Sequence, residues 1–436
     1  MISGVNLVQD KVKFDGVPLD KLIKKFGTPF FLFSEKRLID NYHALSAAFQ
    51  KYYRKTSIYY SVKTNFEPQI LKTLRSQGSR GEIASALEVL LAQKAGFDAS
   101  ELIIDGPAWN DQEIAFCIKK GVAVFNVDSL DLLARVAKIA QKLDIKVNIS
   151  FRIYPELKMS ILKSFIEGYI SKFGIPISQA VDAYSKALSY SHVQPMAISS
   201  HIGSMITDPS YYQKSIERLV TLAARLRDQL GLSIKTINIG GGYGLQSLNY
   251  YSLQNIILNK AGISQYSKAP SIEEFGKKIG TKFREMLNNY HLPEIELVLE
   301  PGRFLVSDTG ILVTRVVAVK KDWIFIDGGI NLVPESIFFI RRGFIIANKA
   351  HRKPTRRYNI AGPTLNTADV LATDQKLPEM AVGDIVLVLD AGAYSLTRSN
   401  QFTILRPVVV FVSSNQQIKI IRQAETPNDL LNKLLL

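Results

Sequence analysis

The chain has 436 residues, 47% hydrophobic and 21% charged, with a formal net charge of +15 at pH 7. That is ordinary globular composition, long enough for two or three domains with sizeable apolar cores. The single cysteine, Cys117, excludes an intrachain disulfide framework and a multi-cysteine metal site, and its place in the helix-like EIAFCIKK predicts a packed core thiol.

The opening MISGVNLVQDKVKF has scattered charges and no apolar core of a signal peptide, and no stretch of eighteen apolar residues follows. A reducing, cytoplasmic setting without a membrane partner is therefore expected. A charge of +15 would attract nucleic acid, an acidic protein or an anionic cofactor. The basic residues are spread along the whole chain without a basic tail or an aromatic-basic module, so nucleic acid is not expected as a partner.

From residue 57 onward, short apolar runs alternate with amphipathic stretches. Strands are predicted at 57–62, 81–84, 102–106, 123–128, 147–153, 196–202, 236–241 and 296–300. Helix-like segments such as 67–78, 84–96, 111–121, 130–143 and 211–230 lie between them, with apolar residues three and four apart. Strands alternating with helices imply βαβ units and a parallel sheet. About eight of them point to an α/β fold, a closed (β/α)8 TIM barrel. After residue 300 the pattern turns β-rich, with GILVTRVVAVKKDWIFIDGG, DIVLVLDAGAY and PVVVFVSS in place of long helices. The expected organisation is an N-terminal segment, 1–30, packing on a C-terminal β domain, 301–436, with the barrel at 31–300.

Unusual polar residues fall where predicted strands end. Lys63 follows IYYSV, Arg152 ends VNISF, His201 follows MAISS, Gly240, Gly241 and Gly242 follow TINI, and Glu300 follows ELVL. Carboxyl ends of barrel strands carry the active sites of this fold. Each residue has a plain alternative: a solvated lysine, a core histidine, a flexible turn, an ion-paired glutamate. The shared placement favours chemistry. A lysine emerging from a buried strand is partly desolvated, which favours the neutral, nucleophilic amine that Schiff-base chemistry needs. Three glycines after a strand let backbone amides approach a phosphate. Gly203 and Ser204, beside His201, offer an amide and a hydroxyl for the same purpose. Glu300 could hold a pyridine nitrogen protonated.

The motifs YYSVKTN, GEIASALEV, FNVDS, FRIYP, SKFG, SHIGS, NIGGGYG, EPGRFLV, GP-x5-D-VLA, GD and GAY occur in the order seen in the diaminopimelate, ornithine and arginine decarboxylases, and the chain resembles that family from about residue 20 to 412. The resemblance implies a pyridoxal 5'-phosphate enzyme acting on an amino acid as a homodimer with shared active sites. By that resemblance Lys63 carries the cofactor, His201 stacks on its ring, Glu300 meets the ring nitrogen and Arg152 supports the phenolic-oxygen side. Ser204, Gly240, Gly241, Gly242, Arg303 with the neighbouring Gly302, and Tyr394 of GAY would hold the phosphate. No metal is implied.

The sequence departs from the family at its substrate end. Family decarboxylases present a cysteine to the neighbouring subunit from GP-x-C-x-S-x-D, whereas here the segment runs from Gly362 to Asp369 with Leu365 at the cysteine position. Asn366 stands where diaminopimelate decarboxylases carry a glutamate for the distal ammonium group. The arginine and tyrosine expected after Gly328-Gly329 are replaced by LVPESIFFIRRGF, with Arg341 and Arg342 out of register. Leucine cannot donate a proton, so His201, Lys63 or water would have to. These changes predict a substrate other than diaminopimelate. The ending GAYSLTRSNQFTILRP resembles members associated with secondary-metabolite clusters, some acting on aminoacyl groups held by acidic carrier proteins, which a basic enzyme would attract. A racemase or epimerase, or a cofactor-binding protein without catalysis, are the alternatives.

Overall fold

The structure is a computed structural model describing residues 4–8, 11–157, 172–250, 268–335 and 340–435. Ser171 of SKFG and residues 336–339 of LVPESIFFIRRGF lie outside them. The chain divides into two compact units: residues 42–244 with 270–302, and residues 1–41 with 245–269 and 303–436.

The first unit is a closed barrel of eight parallel strands: β1 (Thr56–Ser61), β2 (Arg80–Ile83), β3 (Leu102–Asp105), β4 (Val124–Val127), β5 (Val147–Tyr154), β6 (Val193–Ser199), β7 (Thr236–Asn238) and β8 (Glu296–Leu299). Leu297 of β8 lies opposite Thr56 of β1, which closes the ring. The strands are apolar on both faces because helices cover the outside. The covering helices begin at polar caps: Ser85, Asn110, Ser129 and Ser271 each accept a hydrogen bond from the third helical amide. Two end on glycines in the left-handed conformation, Gly121 and Gly231. Cys117 is fully buried in the helix Asp111–Lys120, and burial pushes its thiol up to about 12. None of the described helices is long and apolar enough to cross a membrane.

The second unit is built on a nine-stranded, mostly antiparallel sheet. Its centre is the eleven-residue strand Gly310–Lys320, paired with Phe30–Ser34, Trp323–Ile326 and Ile385–Val388. Phe30–Ser34 also runs parallel to Val409–Val412. Residues 31–41 and 245–250 group with this unit, whereas the sequence reading placed them in the barrel. The run FFLF is buried on both faces and needs neighbours on both edges, which Gly310–Lys320 and Val409–Val412 supply. Phe14, Leu22, Phe30, Leu32, Ile311, Val313, Leu387 and Val410 form its core.

Candidate active site

The carboxyl ends of the barrel strands gather a set of buried polar groups. Lys63 sits in the short helical turn Val62–Thr64 that follows β1. Its Nζ donates to both carboxylate oxygens of Glu82 on β2, at 2.7 and 2.6 Å. Ser61 also donates to Glu82, which is itself fully buried. Around the barrel, Arg152 of β5 forms an ion pair with Asp105 at the end of β3, and its guanidinium lies over the Phe173 ring at 4.7 Å. Glu300, one residue beyond β8, accepts from Asn238 Nδ2 of β7 at 2.6 Å. His201 Nδ1 accepts from the Gly241 amide at 3.3 Å, which assigns the imidazole proton to Nε2.

The glycine turn after β7 is dictated by close approach. A Cβ on Gly241 would collide with the Glu300 carbonyl oxygen, and one on Gly242 with the Gly203 carbonyl oxygen. Gly240 and Gly242 also have left-handed φ values of 72° and 91°. The Gly240 amide donates to Asn238 Oδ1 at 2.8 Å and the Gly241 amide to His201. In this structure, then, these two amides seat Glu300's partner and His201; the sequence reading had aimed them at a phosphate. Gly302 is equally confined, since a Cβ would strike Thr64 Oγ1. Ser204 is exposed in the loop after β6.

Burial and crowding set the protonation of the site. Burial first, then the positive charges of Arg152 and Lys63, lower the His201 imidazole to about 3, so it is neutral at physiological pH. Burial, reinforced by the negative charges of Glu82 and Asp105, holds the Glu300 carboxyl well above the usual carboxylate range. Among the described residues Glu300 has no cationic hydrogen-bond partner, only Asn238. These residues fit pyridoxal 5'-phosphate: an amine at the strand end, a neutral imidazole, and a buried carboxyl that a protonated ring nitrogen would satisfy.

The remaining predicted residues lie in the second unit. Arg303 directs its two terminal nitrogens at the Glu335 carboxylate, at 2.6 and 2.7 Å, and its guanidinium lies over the Tyr394 ring at 4.9 Å. Arg398 and the buried Arg342 also approach Glu335, at 3.6 and 4.0 Å. Arg303 and Tyr394 are thus together, but Arg303 has a carboxylate partner that the phosphate reading did not include. Asp369 is buried and fastens the loop before it, accepting from the amides of Ile330 and Thr364 and from Thr364 Oγ1. Leu365, 93% exposed, and Asn366 project from that loop.

Sequence reasoning missed Glu82, Asp105, Asn238 and Glu335. The first three had a visible signal, an ionisable or amide side chain within an otherwise apolar strand of GEIA, LIID or TIN, which is rarely buried without a partner. Glu335 had none, because Arg303 and Arg398, two of its three arginines, are remote in sequence.

Residues 39–307 match the family described as pyridoxal-dependent decarboxylase, pyridoxal binding domain. The diaminopimelate decarboxylase of Methanothermobacter thermautotrophicus is 31% identical over 422 residues, 95% of this chain and 94% of that protein. That of Archaeoglobus fulgidus is 30% identical, over 96% of each chain. The crystal structure of diaminopimelate decarboxylase from M. jannaschii in complex with L-lysine superposes with a TM-score of 0.87 at 25% identity, covering 100% of this chain and 99% of that one. With a barrel whose strand ends suit the cofactor, and with relatives matched over nearly its full length, the chain belongs to the pyridoxal-dependent amino-acid decarboxylases.

Proposed function

We propose that this enzyme removes the α-carboxylate of an amino acid that differs from diaminopimelate at its far end, with the cofactor carried on Lys63. The observation that carries the reading is the Asp369-fastened loop, which presents Leu365 and Asn366 where family decarboxylases present a cysteine and, for diaminopimelate, a glutamate.

When bound, the cofactor supplies the conjugated pyridine that accepts the electron pair left by the departing carboxylate. Glu82 holds and orients the Lys63 amine. Glu300 would face the ring nitrogen, neutral His201 would lie against the ring, and Arg152, anchored by Asp105, would flank its phenolic side. Ser204, Gly242, Gly302, Arg303 and Tyr394 would surround the phosphate, with Gly240 and Gly241 shaping the turn beside it. Leu365 has no proton to give, so the proton returned to the α-carbon comes from Lys63 Nζ, which exchanges with Glu82, or from water. Two copies would associate so that the Leu365 loop of one is offered to the barrel of the other. The net charge of +15 would favour an acidic carrier protein if the substrate is tethered.

Diaminopimelate itself is the second reading, favoured by the names of the relatives at 31% and 30% identity. CO2 release by the holoenzyme separates the two, with meso-diaminopimelate, L-lysine, L-ornithine, L-arginine and carrier-tethered aminoacyl groups as substrates. The expected result is turnover of one of the others at a kcat/KM well above that of diaminopimelate. Diaminopimelate as the best substrate would sink the first reading.

A further inference from the structure

The central strand of the second unit's sheet outruns its neighbours. Its partners Phe30–Ser34 and Ile385–Val388 reach only to Val313 and Arg315, and beyond Val316 it pairs with Trp323–Ile326 as a two-stranded ribbon. Gly310 to Thr314 are buried, whereas Val317, Ala318, Val319 and Lys320 are all exposed. The ribbon therefore carries two aliphatic side chains into solvent, Val317 at 48% and Val319 at 37% exposure, and turns at Lys320-Lys321-Asp322.

Two further connections meet this ribbon. Arg356 Nη2 donates to the Lys321 carbonyl at 3.3 Å and to Asp322 Oδ1 at 3.1 Å, which lays the loop before the strand Arg356–Ala361 against the turn. Residues 349–357 hold five lysines or arginines and no acidic residue, and 351–357 are all exposed. The Gly383 amide donates to the Val316 carbonyl at 2.9 Å and sets Val382, 66% exposed, beside the ribbon. Arg356 and Arg357 pair with Asp322 and Asp374. Lys320, Lys321, Arg352 and Lys353 have no ion pair among the described residues.

One rim of the sheet thus groups exposed valines with cations that no carboxylate of the unit neutralises. We propose that this rim docks an acidic segment of another protein, in which carboxylates alternate with aliphatic side chains as on an acidic amphipathic helix. Charge complementarity supplies the attraction and the orientation, and the valines supply apolar area to bury. A nucleic acid would neutralise the cations but brings phosphates with no apolar counterpart for the valines. An anionic bilayer would meet Asp322 and Asp374, which it repels. Those two carboxylates hold the Arg356 and Arg357 guanidinium groups in fixed positions, an arrangement suited to discrete carboxylates. The proposal does not depend on which amino acid the enzyme decarboxylates.

The test uses the full-length holoenzyme and fluorescence polarisation at physiological salt. The probes are a helical peptide with leucines on one face and glutamates on the other, poly-L-glutamate, duplex DNA, and vesicles of phosphatidylcholine with phosphatidylglycerol. We expect the glutamate–leucine peptide to bind most tightly. Arg352→Glu with Lys353→Glu should weaken it by about tenfold or more, and Val317→Ser with Val319→Ser by about threefold. Lys320→Gln with Lys321→Gln, a milder change at the ribbon turn, should also weaken it by about threefold. CO2 release, oligomeric state and Tm should match those of the unsubstituted enzyme in all three variants, which separates lost docking from lost folding. No binding of the peptide, or an affinity that the charge reversals leave unchanged, overturns the proposal. Equal binding of poly-L-glutamate and the peptide removes the apolar half and overturns it as well, as does tighter binding of DNA or vesicles.

Discussion

At Lys63 and Glu82 a flexible, partly exposed amine is held by a fully buried carboxylate that also accepts from Ser61. Removing either partner leaves the other mispaired in a low-dielectric site. Lys63→Ala should abolish the visible absorbance of the bound cofactor and reduce CO2 release by a factor on the order of 10⁴ or more, as expected when a nucleophile is lost. Absorbance that persists in this variant would refute the assignment. His201 yields a pH prediction. Its folded value of about 3 lies below the ordinary 6.5, so between those values the unfolded chain binds a proton that the folded chain refuses. Its contribution to stability is therefore full above pH 6.5 and is lost as pH falls toward 3, with a slope of at most about 1.4 kcal/mol per pH unit. His201→Gln should flatten the fall of Tm with acid in that window; parallel curves for the two proteins would contradict the burial of a neutral imidazole. Glu300 works in the opposite direction, because its raised value makes the folded chain retain a proton, so its contribution shrinks as pH rises.

The strands and turns of the barrel set what substitutions they tolerate. Two glycines separate two causes. Gly121 ends a helix with φ 76° and has open space around its missing Cβ, so Ala there bears only the left-handed strain of about 1 kcal/mol. Gly241 has no such φ, but a Cβ there meets the Glu300 backbone, which can move only by displacing β8. Gly241→Ala should cost about 3 kcal/mol or more and weaken cofactor retention, whereas Gly121→Ala lowers Tm only modestly. Thermal melts of both variants check the order, and a harmless Gly241→Ala would remove the close approach as the reason for that glycine. All eight barrel strands could be placed from the sequence, because each short apolar run is bounded by helix caps or turn residues. The strand Phe30–Ser34 could not be assigned to its sheet, since a buried apolar run looks the same whether its neighbours are parallel barrel strands or the antiparallel strands it has.

For the whole molecule, the exposed leucine decides what to measure. Leu365 is 93% exposed on a loop fastened by Asp369, an arrangement suited to burial against a second copy. For the homodimer we propose, Leu365→Asp should raise the dissociation constant by roughly tenfold or more, since a charge would then be desolvated at the contact. Sedimentation equilibrium measures it, and an unchanged oligomeric state would take the loop out of the interface.

The sequence by itself determined the barrel, the β-rich second unit and the family, and it marked Lys63, His201 and Glu300 as candidates. Those depend on local signals: period, caps, and a polar residue at the end of a buried run. Tertiary structure alone decided the partners. Glu82 on Lys63, Asp105 on Arg152, Asn238 on Glu300 and Glu335 on Arg303 are pairings between segments 19 to 62 residues apart, set by which strands and loops become neighbours. It also decided that Gly240 and Gly241 direct their amides inward and that three asparagines line one cavity. Spacing along a chain carries no record of such contacts, because the hydrogen bonds form only after the backbone has closed around them.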